Sequence, residues 1–392
     1  MTQGAAPNAP LMERARELAP LIESRAAAGE HDRRLSEEVV QGLRDAELFW
    51  MTVPRPLGGA DVDLVTAIEV LEEVSRGDGS TGWALMTGAL ATGAAACSLP
   101  DAGVEALFGG GRKPIVAGMS AAGGVGEAAP GGFRLKGNYG FASGSAHADW
   151  ICAGFFPTEN GKRRMLAPGQ PDIMVAVLPR DRVAMKPNWD VMGLAATRSD
   201  DYEVPEQLVE GGACYSLFQA PLRGRGTYQV GVFGIGAAGH GAVVLGIARR
   251  AIEEAARLTR GKKRLGYPQG VSEHPIFQLG FAHHEAAYQA ARAFLVGVFT
   301  DAQHAIDGGT PLTPLQHQRF RQSCAYAHAV ASDVVNFCYR AGGAQALRNP
   351  SALGRCMRDL HGATQHVTVD PVTLAAAAPA LVEHWAGRIH AR

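Results

Sequence analysis

Two sets of residues in this sequence have types and spacings that could do chemistry. Gly234-Ile-Gly236-Ala-Ala-Gly239 matches the GxGxxG pattern that cradles a dinucleotide pyrophosphate. That use needs a strand before the glycines and a second strand ending in an acid about 20 residues on. Here the following segment runs helically through Arg249, Glu253 and Arg257 into the basic turn Arg260-Gly-Lys-Lys-Arg264. The glycines therefore read as small residues that let helices pack closely, and no NAD(P)H site is expected. Histidines form the second set, with His283-His284 and the pair His361/His366. Two metal ligands on one helix face need a spacing of three or four, while five residues rotate the second by about 140°. No metal site is expected. The six cysteines (Cys97, Cys152, Cys214, Cys324, Cys338, Cys356) form no CxxC pair and read as reduced, mostly buried thiols.

The elements that must position these residues follow from periodicity. Leu11, Ala15, Leu18, Leu21 and Ile22 share one helix face, and Ser36 can cap a helix whose face is Val39, Val40, Leu43 and Ala46. Leu64, Ala67, Ile68, Leu71 and Val74 repeat the pattern, with Glu69, Glu72 and Glu73 on the outer face; an apolar inner helix over Gly79–Pro100 follows. From Pro114 short apolar runs replace helical faces. Ile115–Ser120, Phe133–Ala142, Trp150–Phe156, Ile173–Leu178 and Val183–Trp189 read as strands, with Pro130-Gly-Gly132 as a turn. Such strands without intervening helices imply a small antiparallel barrel or sandwich. Tyr228–Arg260, Pro275–Ile306, Pro314–Ala341, Leu353–Thr368 and Pro371–His390 then read as the helices of a bundle. The fold class is α+β: a helical domain over 1–113, a β-domain over 114–222 and a helical bundle over 223–392.

Composition limits the function. The 392 residues carry 37 Lys+Arg and 38 Asp+Glu, a net charge of −1, which argues against a nucleic-acid or other polyanion partner. Only 19% of residues are charged, against an average of about 25%, so subunit contacts are expected to cover part of the surface. The start, MTQGAAPNAP, lacks the basic region and apolar core of a secretory leader, which suggests a cytoplasmic protein. Gly79–Pro100 and Gly226–Ala248 are long enough to span a bilayer, but their Ser, Thr, Gln, His and Gly content favours buried helices and no membrane.

Local motifs add a resemblance that runs through nearly the whole chain. Leu57-Gly-Gly59, Leu71-Glu-Glu-Val74 and Gly79-Ser-Thr-Gly-Trp83 are joined by Gly137-Asn-Tyr-Gly-Phe-Ala-Ser-Gly-Ser-Ala-His-Ala-Asp-Trp150. Trp189-Asp-Val-Met-Gly193, Thr197-Arg-Ser199, Gly342-Gly343 and Arg358-Asp359 complete the set. Together they resemble the acyl-CoA dehydrogenase superfamily, which implies an N-terminal helical domain, a central β-barrel and a C-terminal four-helix bundle. Dehydrogenases of that superfamily commonly place a catalytic Glu shortly after the Arg-Asp pair. Here that stretch reads Arg358-Asp-Leu-His-Gly-Ala-Thr-Gln-His366-Val-Thr-Val-Asp370, and an α-proton of a thioester needs a carboxylate base. The Arg-x-x-Phe-Gly element is also altered, to Arg264-Leu-Gly-Tyr-Pro268.

The Arg-Asp followed by His, with Phe-Ala-Ser-Gly, instead resembles the oxygenase components of two-component flavin monooxygenases. The resemblance implies reduced FMN or FAD from a separate flavin reductase, a C4a-hydroperoxyflavin formed with O2, a small aromatic or polycyclic substrate and a homotetramer. It implies catalytic roles for Ser143, near flavin N5, and for His366, toward the substrate. It implies flavin contacts from Trp83, Ser120, Phe141, Ser143, Thr197, Gly342 and Gly343. Trp83, Phe141, Trp189 and Met192 are candidates for an apolar wall. The inner helix Gly79–Pro100 lacks the His that aromatic hydroxylases of this group often carry, which leaves N- or S-oxygenation open. The alternative reading is an FAD-dependent acyl-CoA dehydrogenase or oxidase.

Overall fold

Side-chain caps fix the first helices. The computed structural model describes residues 9–224 and 226–390; the first eight residues, from which the absence of a leader was read, lie outside them. Five helices come first: α1 (Ala9–Asp32), α2 (Glu37–Asp45), α3 (Leu64–Gly77), α4 (Gly79–Ser98) and α5 (Asp101–Phe108). Ser36, Asp63 and Asp78 each accept a backbone N–H three residues on, at 3.3, 2.8 and 2.9 Å, and so start α2, α3 and α4. As its composition implies, α4 is buried on most sides.

The outer face assigned to α3 needs correction. Glu72 and Glu73 are buried. Later helices cover them: Glu72 accepts from Tyr288 Oη at 2.6 Å and from Arg292 Nε at 2.8 Å, and Glu73 pairs with Arg249 at 2.9 Å. A carboxylate at such a position survives burial because each oxygen is matched by a donor. Single-helix periodicity cannot foresee cations arriving from over 170 residues away.

Ten strands follow: β1 (Val116–Ala129), β2 (Gly132–Ala142), β3 (Trp150–Glu159), β4 (Lys162–Arg163), β5 (Met165–Ala167), β6 (Gln170–Pro171), β7 (Met174–Pro179), β8 (Ala184–Lys186), β9 (Asp200–Glu210) and β10 (Cys214–Ser216). The main sheet runs β10-β7-β3-β1-β2-β9-β8, with β4 beside β3. It is mixed, which corrects the expectation of an antiparallel barrel or sandwich in one respect: β1 and β2 form a hairpin around Pro130-Gly131, and β3 then returns on the other side of β1, parallel to it. Strand β1 extends well past Ser120 because a bulge interrupts its register with β3 between Met119 and Gly124. Gly154 sits under that bulge, where a Cβ would strike the carbonyls of Ser120 and Ala121. Strand β9, absent from the sequence reading, pairs with β2 along most of its length.

The remaining helices are α6 (Gly231–Thr259), α7 (Pro275–Asp307), α8 (Pro314–Gly342), α9 (Ala344–Leu347), α10 (Ala352–Ala363) and α11 (Pro371–His390). Gly234, Gly236 and Gly239 all lie inside α6, so the strand that a dinucleotide fingerprint needs is replaced by helix. The segment Thr227–Thr259 is long and apolar enough to cross a membrane, with an 18-residue window of mean hydropathy 1.8, yet 78% of that window is buried inside the protein. All six cysteines are free and buried. Helix α10 ends at Ala363, five residues short of the sequence reading, and His366 lies in the link before a short turn at Val367–Val369. The 140° rotation argued for His361 and His366 therefore does not apply.

Glu72→Ala would leave Arg292 and Tyr288 without their shared acceptor. The expected loss is about 3 kcal/mol of unfolding free energy, measured by denaturant titration.

Candidate active site

A row of hydroxyls joins three parts of the fold. Helix α4 supplies Trp83, the crossover from β2 to β3 supplies Ser143, and the turn leading into β9 supplies Thr197 and Ser199. Trp83 Nε1 donates to Ser143 Oγ at 3.1 Å; Ser143 Oγ and Ser199 Oγ are 2.6 Å apart; Ser199 Oγ and Thr197 Oγ1 are 2.7 Å apart; Thr197 Oγ1 donates to the Leu194 carbonyl at 2.7 Å. Both ends have fixed polarity, because an indole only donates and a carbonyl only accepts. Every proton in the row therefore points from Trp83 toward Leu194. Ser143 spends its hydroxyl proton on Ser199 and keeps one free acceptor position.

Imidazoles pack against the same indole. His366 lies 6.0 Å from the Trp83 ring and His240, from α6, lies 4.8 Å from it; the two imidazole centroids are 4.0 Å apart. The Thr368 backbone N–H donates to His366 Nδ1 at 3.3 Å, which places the proton of the neutral ring on Nε2. His328, on α8, bonds the Cys324 carbonyl through Nδ1 at 2.9 Å, which leaves Nε2 as an acceptor. Burial depresses the basicity of all three, and for His240 the neighbouring His366 and His328 add to it; His328 is pushed down to about 4. The cluster is uncharged at neutral pH. His240 Nδ1 and His328 Nε2 are buried with no hydrogen-bond partner among the described residues.

A buried acidic pair ties the row to α10. Asp359 Oδ1 accepts from the Leu194 N–H at 2.6 Å, and Asp78, which caps α4, lies 3.3 Å from Arg355 Nε. That approach supplies attraction without hydrogen-bond alignment, since Asp78 Oδ1 has no aligned donor. Burial raises both, for Asp78 against the pull of Arg355; for Asp359 repulsion by Asp78 adds to burial and the group is pushed up to about 8.

A cavity of about 450 Å³ opens beside these groups, lined among others by Met86, Thr87, Leu90, Ser120, Tyr228 and His240. Thr87 Oγ1 reaches the Ser143 carbonyl at 3.4 Å, so the cavity abuts the hydroxyl row. Of the residues singled out from the sequence, the structure thus joins Trp83, Ser143, Thr197 and His366. Ser120 stands in the cavity wall instead, turned out by the β1 bulge, 3.9 Å from Cys152 Sγ. Phe141 is 63% exposed at a strained φ of +63°, edge-on to Trp189, and Met192 is exposed too, so these residues stand open to solvent rather than as a buried wall. Trp189 Nε1 shares the Leu194 carbonyl with Thr197. Gly342 and Gly343 are not in the cluster. They close α8 about 21 Å along its axis from His328, where Lys262 and Arg264 donate to the carbonyls of Gly342 and Ala341.

Family models for the acyl-CoA dehydrogenase N-terminal domain and C-terminal domain match residues 12–103 and 238–371, together more than half of the sequence. The chain belongs to the acyl-CoA dehydrogenase family. Within that family it is 28% identical over 364 residues to an indole-3-acetate monooxygenase of Pseudomonas putida, covering 90% of this chain and 89% of the relative. It is 27% identical over 395 residues to the oxygenase component of an FADH(2)-dependent resorcinol hydroxylase of a Rhizobium species, covering 93% and 91%. The crystal structure of 3-HSA hydroxylase from Rhodococcus sp. RHA1 superposes with a TM-score of 0.86 at 22% identity, over 93% of this chain and 95% of that one, a likeness of fold.

Sequence reasoning did not assign His240, His328 or Ser199 to the site. His240 was visible as the one histidine in the apolar run Gly226–Ala248, inside the glycine motif set aside above. Ser199 stood in a quoted motif with no role attached. His328 carries no signal of its own.

The acidic pair fixes a pH dependence for this family member. Folded Asp359 keeps its proton to about pH 8, whereas an unfolded aspartate releases it near 3.8. The native state binds more protons across that interval, so stability falls as pH rises through it. Asp359→Asn keeps an acceptor for the Leu194 N–H and is expected to flatten the fall of Tm between about pH 4 and pH 8. Calorimetry across that range measures it.

Proposed function

We propose that this protein is the oxygenase component of a two-component flavin-dependent monooxygenase, acting on a small aromatic or polycyclic substrate. The directed hydroxyl row carries this reading. Ser143 is left able only to accept, which suits a ring N–H such as the one at N5 of reduced flavin and not the bare N5 of the oxidised form. The edge-on Phe141–Trp189 pair beside a polar row fits a flat heteroaromatic ring with one polar edge. The cavity lining contains no carboxylate among the described residues, so a thioester α-proton would find no base of that kind there.

When bound, reduced FMN or FAD from a separate flavin reductase supplies the electrons that activate O2 for transfer of one oxygen atom. The protein's part is positional. Ser143 holds the ring edge, with Ser199 and Thr197 fixing the direction of its proton. His366 offers an N–H at Nε2, and His240 holds that imidazole against Trp83. Met86, Leu90 and Tyr228 keep water from the reacting oxygen and so suppress its loss as hydrogen peroxide.

Apolar side chains exposed on α7, such as Ile276 and Leu279, and on α11, such as Val382, support assembly into the expected homotetramer. A flavin contact from Gly342 and Gly343 then falls to the site of a neighbouring copy, since they stand too far from this chain's own cluster. Six reduced thiols suit the cytoplasm.

The test supplies photoreduced FMN or FAD, then O2, with a panel of phenols and indoles, and compares hydroxylated product with hydrogen peroxide. Coupled product supports the reading; bleaching of bound FAD by an acyl-CoA, with no hydroxylation, overturns it. Ser143→Ala is expected to raise the peroxide share about fivefold, the worth of one hydrogen bond of about 1 kcal/mol. Ser199→Ala frees the Ser143 proton and is expected to narrow the affinity ratio of reduced over oxidised flavin, read by equilibrium titration. His366→Ala is expected to depress hydroxylation more than flavin affinity; equal losses would make it a packing residue.

A further inference from the structure

The cavity beside the hydroxyl row is charged at one end only. Among the described residues its lining holds no Asp, Glu or Lys, and Arg321 is the single permanent charge. The guanidinium of Arg321 lies 4.6 Å from the ring centroid of Phe233, and no carboxylate among the described residues pairs with it. A partly buried cation with only an aromatic face for company retains most of its capacity to bind an anion. Two more polar side chains meet it on α8. His317, one turn before Arg321, is driven toward its neutral form by burial and by the Arg321 charge. Gln318 lines the same wall with its Oε1 buried and without a partner; turning that amide over presents an N–H₂ donor in its place.

The opposite end carries the uncharged His240, against which His366 and His328 are packed. Phe233 and His240 are seven residues apart on α6, and Arg321 and His328 are seven apart on α8. Seven residues make two turns, about 10.5 Å, on each helix. The cation and the imidazole cluster therefore stand at two levels of one cavity, separated by the length of a fused two-ring aromatic with a short side chain. Between them the lining is apolar, with Met86, Leu90 and Ile235.

We propose that the substrate is an aromatic acid, an aryl or heteroaryl alkanoate, whose carboxylate is held by Arg321 while its ring lies in the apolar middle with the reacting atom toward His240 and His366. The assignment of a reacting end rests on the monooxygenase reading; the carboxylate site stands on the cavity alone. One guanidinium matches one negative charge, so a monocarboxylate fits better than a phosphate. Arg321 acts as a specificity residue: it fixes which end of the molecule enters first, and thereby which ring atom meets the hydroxyl row.

Indole-3-acetate and its neutral isostere indole-3-acetamide test the site by calorimetric binding to the full protein. The wild type is expected to prefer the acid by about tenfold or more. Arg321→Gln should abolish that preference by weakening the acid alone, and Arg321→Lys should restore part of it. Equal binding of acid and amide by the wild type, binding of neither, or an equal loss of both in Arg321→Gln would overturn the proposal. Circular dichroism of each variant separates loss of fold from loss of the contact. Reduced-flavin turnover, measured separately on the wild type, separates the two claims: Arg321-dependent binding without hydroxylation keeps the carboxylate site and defeats the monooxygenase reading. Hydroxylation with no preference for the acid does the reverse.

Discussion

The carboxyl pair Asp78 and Asp359, with Arg355 between them, is the contact on which the site geometry depends. Starting from Asp359, the connections run through the Leu194 N–H and carbonyl to Thr197, Ser199, Ser143 and Trp83. Trp83 stands on α4, which Asp78 caps; Asp78 faces Arg355, and Arg355 and Asp359 lie one turn apart on α10. The circuit closes on itself. It binds the N-terminal helices, the strand connections and the C-terminal helices into one frame. Burying two acids against one arginine costs desolvation that the ion pair repays only in part, so the group contributes position more than net stability.

That circuit also explains what the sequence made legible. Local rules carried the helices: Ser36 caps α2 as expected, Asp63 and Asp78 do the same for α3 and α4, though the sequence reading had not named them, and the apolar faces of α1, α2 and α3 follow simple periodicity. Several of the motif blocks that suggested a family are stretches the circuit passes through, which is why Trp83, Ser143 and Thr197 emerged together, with His366 packed against Trp83. What failed to emerge depends on partners distant in sequence. Glu72 looked like a surface residue until Arg292 and Tyr288 covered it. Strand β9 hid behind its acidic start, because Asp200 is buried against Arg198 and Trp189 rather than turned to solvent. Ser120 was placed by a bulge that no alternation pattern announces, and the early end of α10 put His366 in a link where helical geometry was assumed.

Electrostatically, the interior divides into two kinds of neutrality. The imidazole cluster is neutral because burial denies it protons, and the acidic pair with Arg355 is neutral as a group because burial and crowding make Asp359 hold its proton. Neither puts a permanent charge beside the hydroxyl row, so that region selects by hydrogen-bond direction and shape, while among the described residues charge enters the cavity only from α8.

The close packing of α4 has a consequence for how this pocket can change over evolution. A side chain at Gly82 would collide with Ser75, and one at Gly93 with Tyr228 and Thr52, so that wall has no room to move. Across the cavity, Gly236 on α6 has open space where its Cβ would be. New substrates are therefore accommodated from one side: single substitutions on α6 can trim or fill the pocket, while α4 stays a fixed floor against which each version of the cavity is measured.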